Sequence, residues 1–249
     1  MRIGFGLGLG VSGGRHMPPV QGDGDFNPIQ FIADNAVAYW KFEEDSPPLT
    51  DTTGRGNSLD APNGALFEQS GKLGNAIGYD GATTYLSRAS TADLQIGGGD
   101  FVVAAWVKFA AVGDDHVIAT KPAEYGLYLS LGGLYFTAGD GAGSALSSVT
   151  PSADVWYLIV GWYDRAHETF RIRVNNGTVD SNPQEDVVGT GGSADLYVGS
   201  NSGSANFFDG LIDDTLIIKT STPMSSDDFD ALCSYLWSGG NGLDLTFIF

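Results

Sequence analysis

Residues 101–109 read Phe-Val-Val-Ala-Ala-Trp-Val-Lys-Phe. Taken in steps of two, Phe101, Val103, Ala105, Val107 and Phe109 share one face, because successive side chains of a strand point to opposite sides of the chain. Residues 156–164 repeat the pattern with Trp156, Leu158, Val160 and Trp162. Outward from these two stretches, short apolar runs at 36–43, 76–79, 117–120, 126–131, 134–137, 169–174, 195–198 and 210–219 are separated by clusters of Gly, Asn, Asp, Ser and Pro. That punctuation predicts an all-β chain of antiparallel strands. Leu131-Gly132-Gly133-Leu134 and Asn175-Asn176-Gly177 read as hairpin turns, since Gly and Asn accept positive φ at little cost. One helix is predicted, near the C-terminus. Ser225-Ser226-Asp227-Asp228 supplies a cap and an acidic first turn, Phe229, Leu232, Cys233, Leu236 and Trp237 follow at helical spacing, and Gly239-Gly240 ends it.

The 249 residues suit one large β domain, and a 42% hydrophobic fraction supplies a core. Glycine occurs 36 times, as a turn-rich β protein requires. The net charge of −18 repels phosphate backbones and anionic lipid, which argues against nucleic-acid partners and membrane surfaces. No apolar run reaches the ~18 residues of a membrane-spanning helix, so no membrane insertion is expected. The single cysteine, Cys233, excludes an internal disulfide and reads as a small buried apolar residue. Arg2 and the apolar residues 3–11 outline a secretory signal, but Gly4, Gly6, Gly8 and Gly10 make a poor helix, so no signal peptide is expected. Three regions follow: a Gly/Pro-rich N-terminal arm at 1–28, a domain at 29–238, and an apolar strand or arm at 239–249 ending in Phe247-Ile248-Phe249.

An ordered set of segments runs through the domain. It comprises Ala38-Tyr39-Trp40-Lys41-Phe42-Glu43-Glu44, Asp51-Thr52-Thr53-Gly54-Arg55-Gly56-Asn57, residues 71–81, residues 101–108, Leu196-Tyr197-Val198-Gly199 and Phe208-Asp209-Gly210-Leu211-Ile212-Asp213-Asp214, then the helix at 226–237. The set resembles the laminin-G-like jelly rolls of the concanavalin A-like lectin/glucanase superfamily. The resemblance implies a two-sheet antiparallel jelly-roll sandwich with one short C-terminal helix, commonly a binding or adhesion module. Trp40 and Phe42 are expected to fill its core. The resemblance also implies a calcium ion between the Asp51–Asn57 turn and the late strand, with Asp51, Asn57 and Asp213 as candidate ligands, although Asp and Asn are also common in turns for backbone reasons alone. The Gly-rich start running into a jelly roll resembles tailed-bacteriophage structural proteins.

Catalytic signatures are missing from the sequence. The superfamily's glucanases use two glutamates on one strand with an aspartate between, and no such spacing occurs; Glu43-Glu44-Asp45 are adjacent and read as a strand end before Pro47-Pro48. His16, His116 and His167 lack metal-ligand spacing, and Asp114-Asp115-His116 reads as a solvated turn. Trp40, Trp106, Trp156 and Trp162 lie within strands and read as core. Tyr125, Phe207 and Phe208 lie in or beside loops, and the 199–208 loop is the expected glycan rim, with Asn201, Asn206 and Phe207 as its ligand-binding candidates. The expected function is a non-enzymatic structural or binding protein on a virion surface. Its expected partners are other virion or assembly proteins held through residues 1–28 and 243–249, further copies of itself in a homo-oligomer, and surface glycans. The alternatives are an extracellular or cell-surface calcium-dependent carbohydrate-binding module and, behind it, a diverged glycoside hydrolase.

Overall fold

The computed structural model describes residues 26–138, 143–184 and 191–249; the expected arm at 1–28 lies almost wholly outside them. In chain order the elements are α1 (Pro28–Asn35), β1 (Ala36–Trp40), β2 (Leu66–Ser70), β3 (Asn75–Asp80), β4 (Leu86–Arg88), β5 (Asp100–Phe109), β6 (His116–Lys121) and β7 (Tyr125–Ser130). These are followed by β8 (Gly133–Ala138), β9 (Gly143–Leu146), β10 (Trp156–Asp164), β11 (Thr169–Val174), β12 (Val179–Pro183), β13 (Leu196–Val198), β14 (Asp209–Thr220) and α2 (Ser226–Trp237).

The strands form two antiparallel sheets. One runs β12-β11-β10-β5-β14-β3-β2, with β1 as an eighth strand beside β14; the other runs β4-β13-β6-β7-β8-β9. Strand β14 organises the larger sheet. Along one edge it pairs with β5, and along the other it meets β3 at Asp209–Ile212 and then β1 at 215–218. A bulge at Asp213–Asp214, where Asp214 takes φ 43°, marks the change of partner.

Two cores result. Phe101, Val103, Ala105, Val107 and Phe109 face the inter-sheet core with Trp40 and Phe42, as expected. The other face of β5 (Val102, Ala104, Trp106) and the Trp156–Leu158–Val160–Trp162 face of β10 lie under α1, α2 and the C-terminal residues Leu243, Leu245 and Ile248. Strand β5 is therefore covered on both sides, which is why its sequence is nearly continuous in apolar residues.

Three expectations are corrected. Strand β1 ends at Trp40, three residues early, because Phe42 takes φ 59° and leaves the extended conformation while still burying its ring. Helix α1 was not expected. Asn27 caps it by accepting from the Ile29 and Gln30 amides, Pro28 opens it, and Ile32 is its core contact. Of the strand or arm expected at 239–249, no strand forms: residues 243–249 fold back on the second core and close with a 3-10 turn at Thr246–Ile248. Helix α2 matches the expectation, with a reciprocal Ser225–Asp228 capping box and Ser238 in the left-handed conformation at its end. Among the described residues no helix is long and apolar enough to cross a membrane.

Candidate functional site

Helices cover the outer face of the larger sheet, so the outer face of the six-stranded sheet is where side chains stand half-exposed. Its composition follows from register. Tyr197 of β13 pairs with Ser87 of β4 and Thr120 of β6; Thr120 pairs with Gly126 of β7, Gly126 with Thr137 of β8, and Thr137 with Ser144 of β9. Their strand neighbours Leu127, Phe136, Ala145, Leu196 and Val198 point into the inter-sheet core. Alternation therefore sends this row outward as a band crossing all six strands, with a hydroxyl from each except β7, whose member is Gly126; the Thr120 hydroxyl is buried. A second outward row runs Tyr128–Tyr135–Leu146.

Tyr128 does not stand upright. A Cβ at Gly126 would lie 2.3–2.4 Å from the Tyr128 ring and hydroxyl, so this ring reclines over the glycine two positions before it. At Gly133 a Cβ would meet Leu146 Cδ1 at 2.7 Å, with the edge of the Tyr135 ring at 3.3 Å. The Tyr128 hydroxyl reaches Thr120 Oγ1 at 2.5 Å and also bonds Thr137. Burial pushes this phenol up from its ordinary range, against the hydrogen bonds that lower it, so it stays neutral.

Two cavities flank Tyr128 and share both it and Thr137. The first, about 270 Å³, is lined by Asp115, His116, Ser130, Tyr135, Ser144 and Asn206 among others. The second, about 320 Å³, is lined by Lys121, Glu124, Tyr125 and Asn201 among others. His116 is 4% exposed, and its Nδ1 lies 2.9 Å from the Phe207 carbonyl. A carbonyl only accepts, so Nδ1 donates to it, and the ring packs inward against Phe109 and Phe208. Nε2 is buried with no partner among the described residues. In the second cavity the Lys121 ammonium is consumed: it donates to Glu124 and, at 2.7 Å, to the Gly192 carbonyl, while Glu124 accepts from the Ile96 amide at 2.7 Å.

Of the residues expected at a glycan rim, Asn206 lines the first cavity and Asn201 the second. Phe207 lines neither; its ring packs 6.4 Å from that of Tyr85. Two of the expected loop aromatics are core. Tyr125 lies in β7 with its hydroxyl donating to the Leu94 carbonyl at 2.9 Å, and Phe208 packs between Tyr79 and Phe109. Asp115 and His116, read as a solvated turn, line the first cavity instead. Tyr128 and Tyr135 were missed, although Gly-Leu-Tyr occurs at both 126–128 and 133–135.

Of the three candidate calcium ligands, Asp51 and Asn57 are joined by a hydrogen bond. Asp51 Oδ1 accepts from the Tyr39 amide and from the Thr53 amide and hydroxyl, and Oδ2 accepts from the Asn57 amide. The Asn57 side chain donates to the Val37 carbonyl and accepts from Thr91. Asp213 stands at the β14 bulge, where Oδ2 accepts from the Lys72 and Leu73 amides and Oδ1 is unpartnered. Calcium requires ~6–8 oxygen ligands. Asp51 and Asn57 are already committed to protein donors and do not fit that demand, and among the described residues no three His, Cys, Asp or Glu side chains gather as a metal site. Glu43 and Glu44 lie past the end of β1 and accept from the Asn75 and Thr50 amides.

The laminin G model described as concanavalin A-like lectin/glucanases superfamily matches residues 80–225, more than half of the chain. No curated protein matches by sequence. Among solved structures, the binding domain of Paraclostridial Mosquitocidal Protein 1 is similar at 14% identity and a TM-score of 0.64, over 82% of this chain and 52% of that one. The ligand binding domain of botulinum neurotoxin serotype D, in complex with N-acetylneuraminic acid, is similar at 13% identity and a TM-score of 0.64, over 84% and 52%. Domain 4 of AbnA, a GH43 extracellular arabinanase from Geobacillus stearothermophilus, in complex with arabinotriose, is similar at 17% identity and a TM-score of 0.61, over 80% and 98%. The chain thus spans about half the length of the two toxin domains, and the likenesses are of fold.

Proposed function

The chain belongs to the concanavalin A-like lectin/glucanases superfamily, and on that premise we propose that it is a non-catalytic, lectin-like carbohydrate-binding module whose binding surface is the outer face of the six-stranded sheet. The observation that carries this reading is the Tyr128 ring reclining on Gly126, with Tyr135 as its cross-strand neighbour, set beside a band of hydroxyls. Pyranose and furanose rings offer C–H faces to aromatic rings and hydroxyls to polar side chains, and this surface supplies both. The sugar complexes of the serotype D domain and of AbnA Domain 4 support the same reading. An extracellular or surface location accompanies it. Titration calorimetry of the full chain against neutral oligosaccharides should detect binding that Tyr128→Ala weakens about tenfold or more, since one lost aromatic contact of ~1.5 kcal/mol has that effect. Unchanged affinity in the variant would move the site off this face.

A second reading, compatible with the first, is that the module is displayed on a virion or similar assembly. Phe247 and Phe249 support it: the C-terminal segment docks by Leu243, Leu245 and Ile248 yet leaves these two rings 56% and 40% exposed, as a residual contact for a second copy or a carrier protein.

A further inference from the structure

We propose that the groove formed by the two cavities selects neutral, hydroxyl-rich oligosaccharides of at least two sugar units and discriminates against anionic sugars. The inference rests on the carbohydrate-binding reading and adds the ligand class.

Length comes first. The cavities of about 270 and 320 Å³ meet at Tyr128 and Thr137, so the reclining ring is the floor common to both rather than the wall of one. One cavity lies by His116 and Leu129 and the other by Lys121 and Tyr125, the two ends of the β6–β7 pairing, so the groove runs along these strands and crosses the hydroxyl row at Thr137. A single monosaccharide would occupy one side of Tyr128; a chain laid along β6 and β7 occupies both.

Charge decides the class. Among the described lining residues there is one lysine and no arginine, and that lysine is spent on Glu124 and the Gly192 carbonyl. Nothing in the groove is left to neutralise a carboxylate or sulfate. On the opposite side of the balance, Asp115 lines the first cavity, and the whole chain carries −18. An anionic sugar would meet like charge without a counter-ion. The Asn206 amide and the Ser130 and Ser144 hydroxyls that line the first cavity pair with sugar hydroxyls and bring no positive charge. Asp115 keeps Oδ2 beside the Oδ1 that accepts from the Leu131 amide, a further acceptor for sugar hydroxyls.

The experiment titrates the full-length chain at physiological salt with glucose, cellobiose, cellotetraose, xylotetraose, maltotetraose and arabinotriose, and in parallel with 3′-sialyllactose and a heparin tetrasaccharide. The expected result is binding to at least one neutral oligosaccharide, with affinity rising about tenfold or more from glucose to a glucose tetrasaccharide, as a second aromatic contact would give, and with both anionic probes weaker. Asp115→Asn should then narrow the gap by strengthening 3′-sialyllactose several-fold. Binding to 3′-sialyllactose or heparin in preference to every neutral probe would overturn the selectivity while leaving the carbohydrate-binding reading intact. A neutral affinity that does not rise with length would overturn the two-unit groove. Binding to none of the eight would sink the underlying reading and the inference with it.

Discussion

Gly126 has an ordinary strand conformation, so its lack of a side chain matters for space and not for backbone freedom. A methyl group there would meet the Tyr128 ring within 2.4 Å, and what must yield is the far end of a side chain on an exposed face. Gly126→Ala should therefore keep the fold, with stability within roughly 1 kcal/mol of the parent because alanine is also the better strand residue entropically, while lifting the ring from the sheet and separating its hydroxyl from Thr120. Thermal melts and glycan titration check both halves: an unaltered melt with about tenfold weaker binding is expected, and unaltered binding would show that the reclining ring is not the platform. At this scale the sequence was legible in part. Asn201 and Asn206 could be named from loop chemistry, but Tyr128 could not be separated from core tyrosines such as Tyr125, three residues away in the same strand. The two differ only in the side of the sheet they face, and that is set by pairing with β6 and β8.

At the scale of the element, β14 carries a second consequence. Its bulge brings Asp213 and Asp214 side by side inside the molecule, each with one buried oxygen unpartnered, and Tyr39 donates its hydroxyl to Asp214. Burial pushes the Asp213 carboxyl up to about 7, opposed by the amides of Leu73 and Lys72; burial and then the charge of Asp213 push Asp214 up as well. The unfolded chain releases such protons near pH 4. Between about pH 4 and pH 7 the folded state thus holds a proton that the unfolded state has lost, so this pair stabilises the fold at the acidic end of that window and the contribution falls away as pH rises to about 7. Asp80 acts oppositely and lower down: the Thr83 and Thr84 amides and the Thr83 hydroxyl hold it well below the usual range, a contribution lost only as pH falls below about 4. Denaturant unfolding at pH 5 and pH 7.5 should show the parent losing stability across the interval. Asp213→Asn can still turn a carbonyl oxygen to the Lys72 and Leu73 amides, so it should flatten the dependence; an equal slope in the variant would refute the assignment. The sequence revealed β14 itself from its alternation, but not this role. An Asp-Asp pair inside a strand reads as an edge or turn until the change of neighbour from β3 to β1 is known.

Over the whole molecule the arrangement is three layers: helices and the C-terminal tail, the eight-stranded sheet, and the six-stranded sheet with its open outer face. The tail closes one end of the helical layer and keeps Phe247 and Phe249 half in water. Were these rings an assembly contact, light scattering of the full chain would give a multiple of the monomer mass, and Phe247→Ser with Phe249→Ser would reduce it. A monomer at every concentration would argue against display through this end.

What the sequence by itself determined was the class of fold: period-2 alternation in 101–109 and 156–164, turn residues between short runs, and a capped helix at 226–237 are local patterns, each legible within about ten residues. The acidic surface, the absence of paired strand glutamates and the buried Cys233 were legible for the same reason. What only the tertiary structure decided was orientation. Alternation divides a strand into two faces without saying which one a second layer will cover, and here β5 and β10 are covered twice while β7 and β8 are covered once. That single difference turns Trp106 and Trp162 into core and Tyr128 and Tyr135 into a candidate binding surface, and it depends on pairings between residues far apart along the chain, whose energies no local window contains.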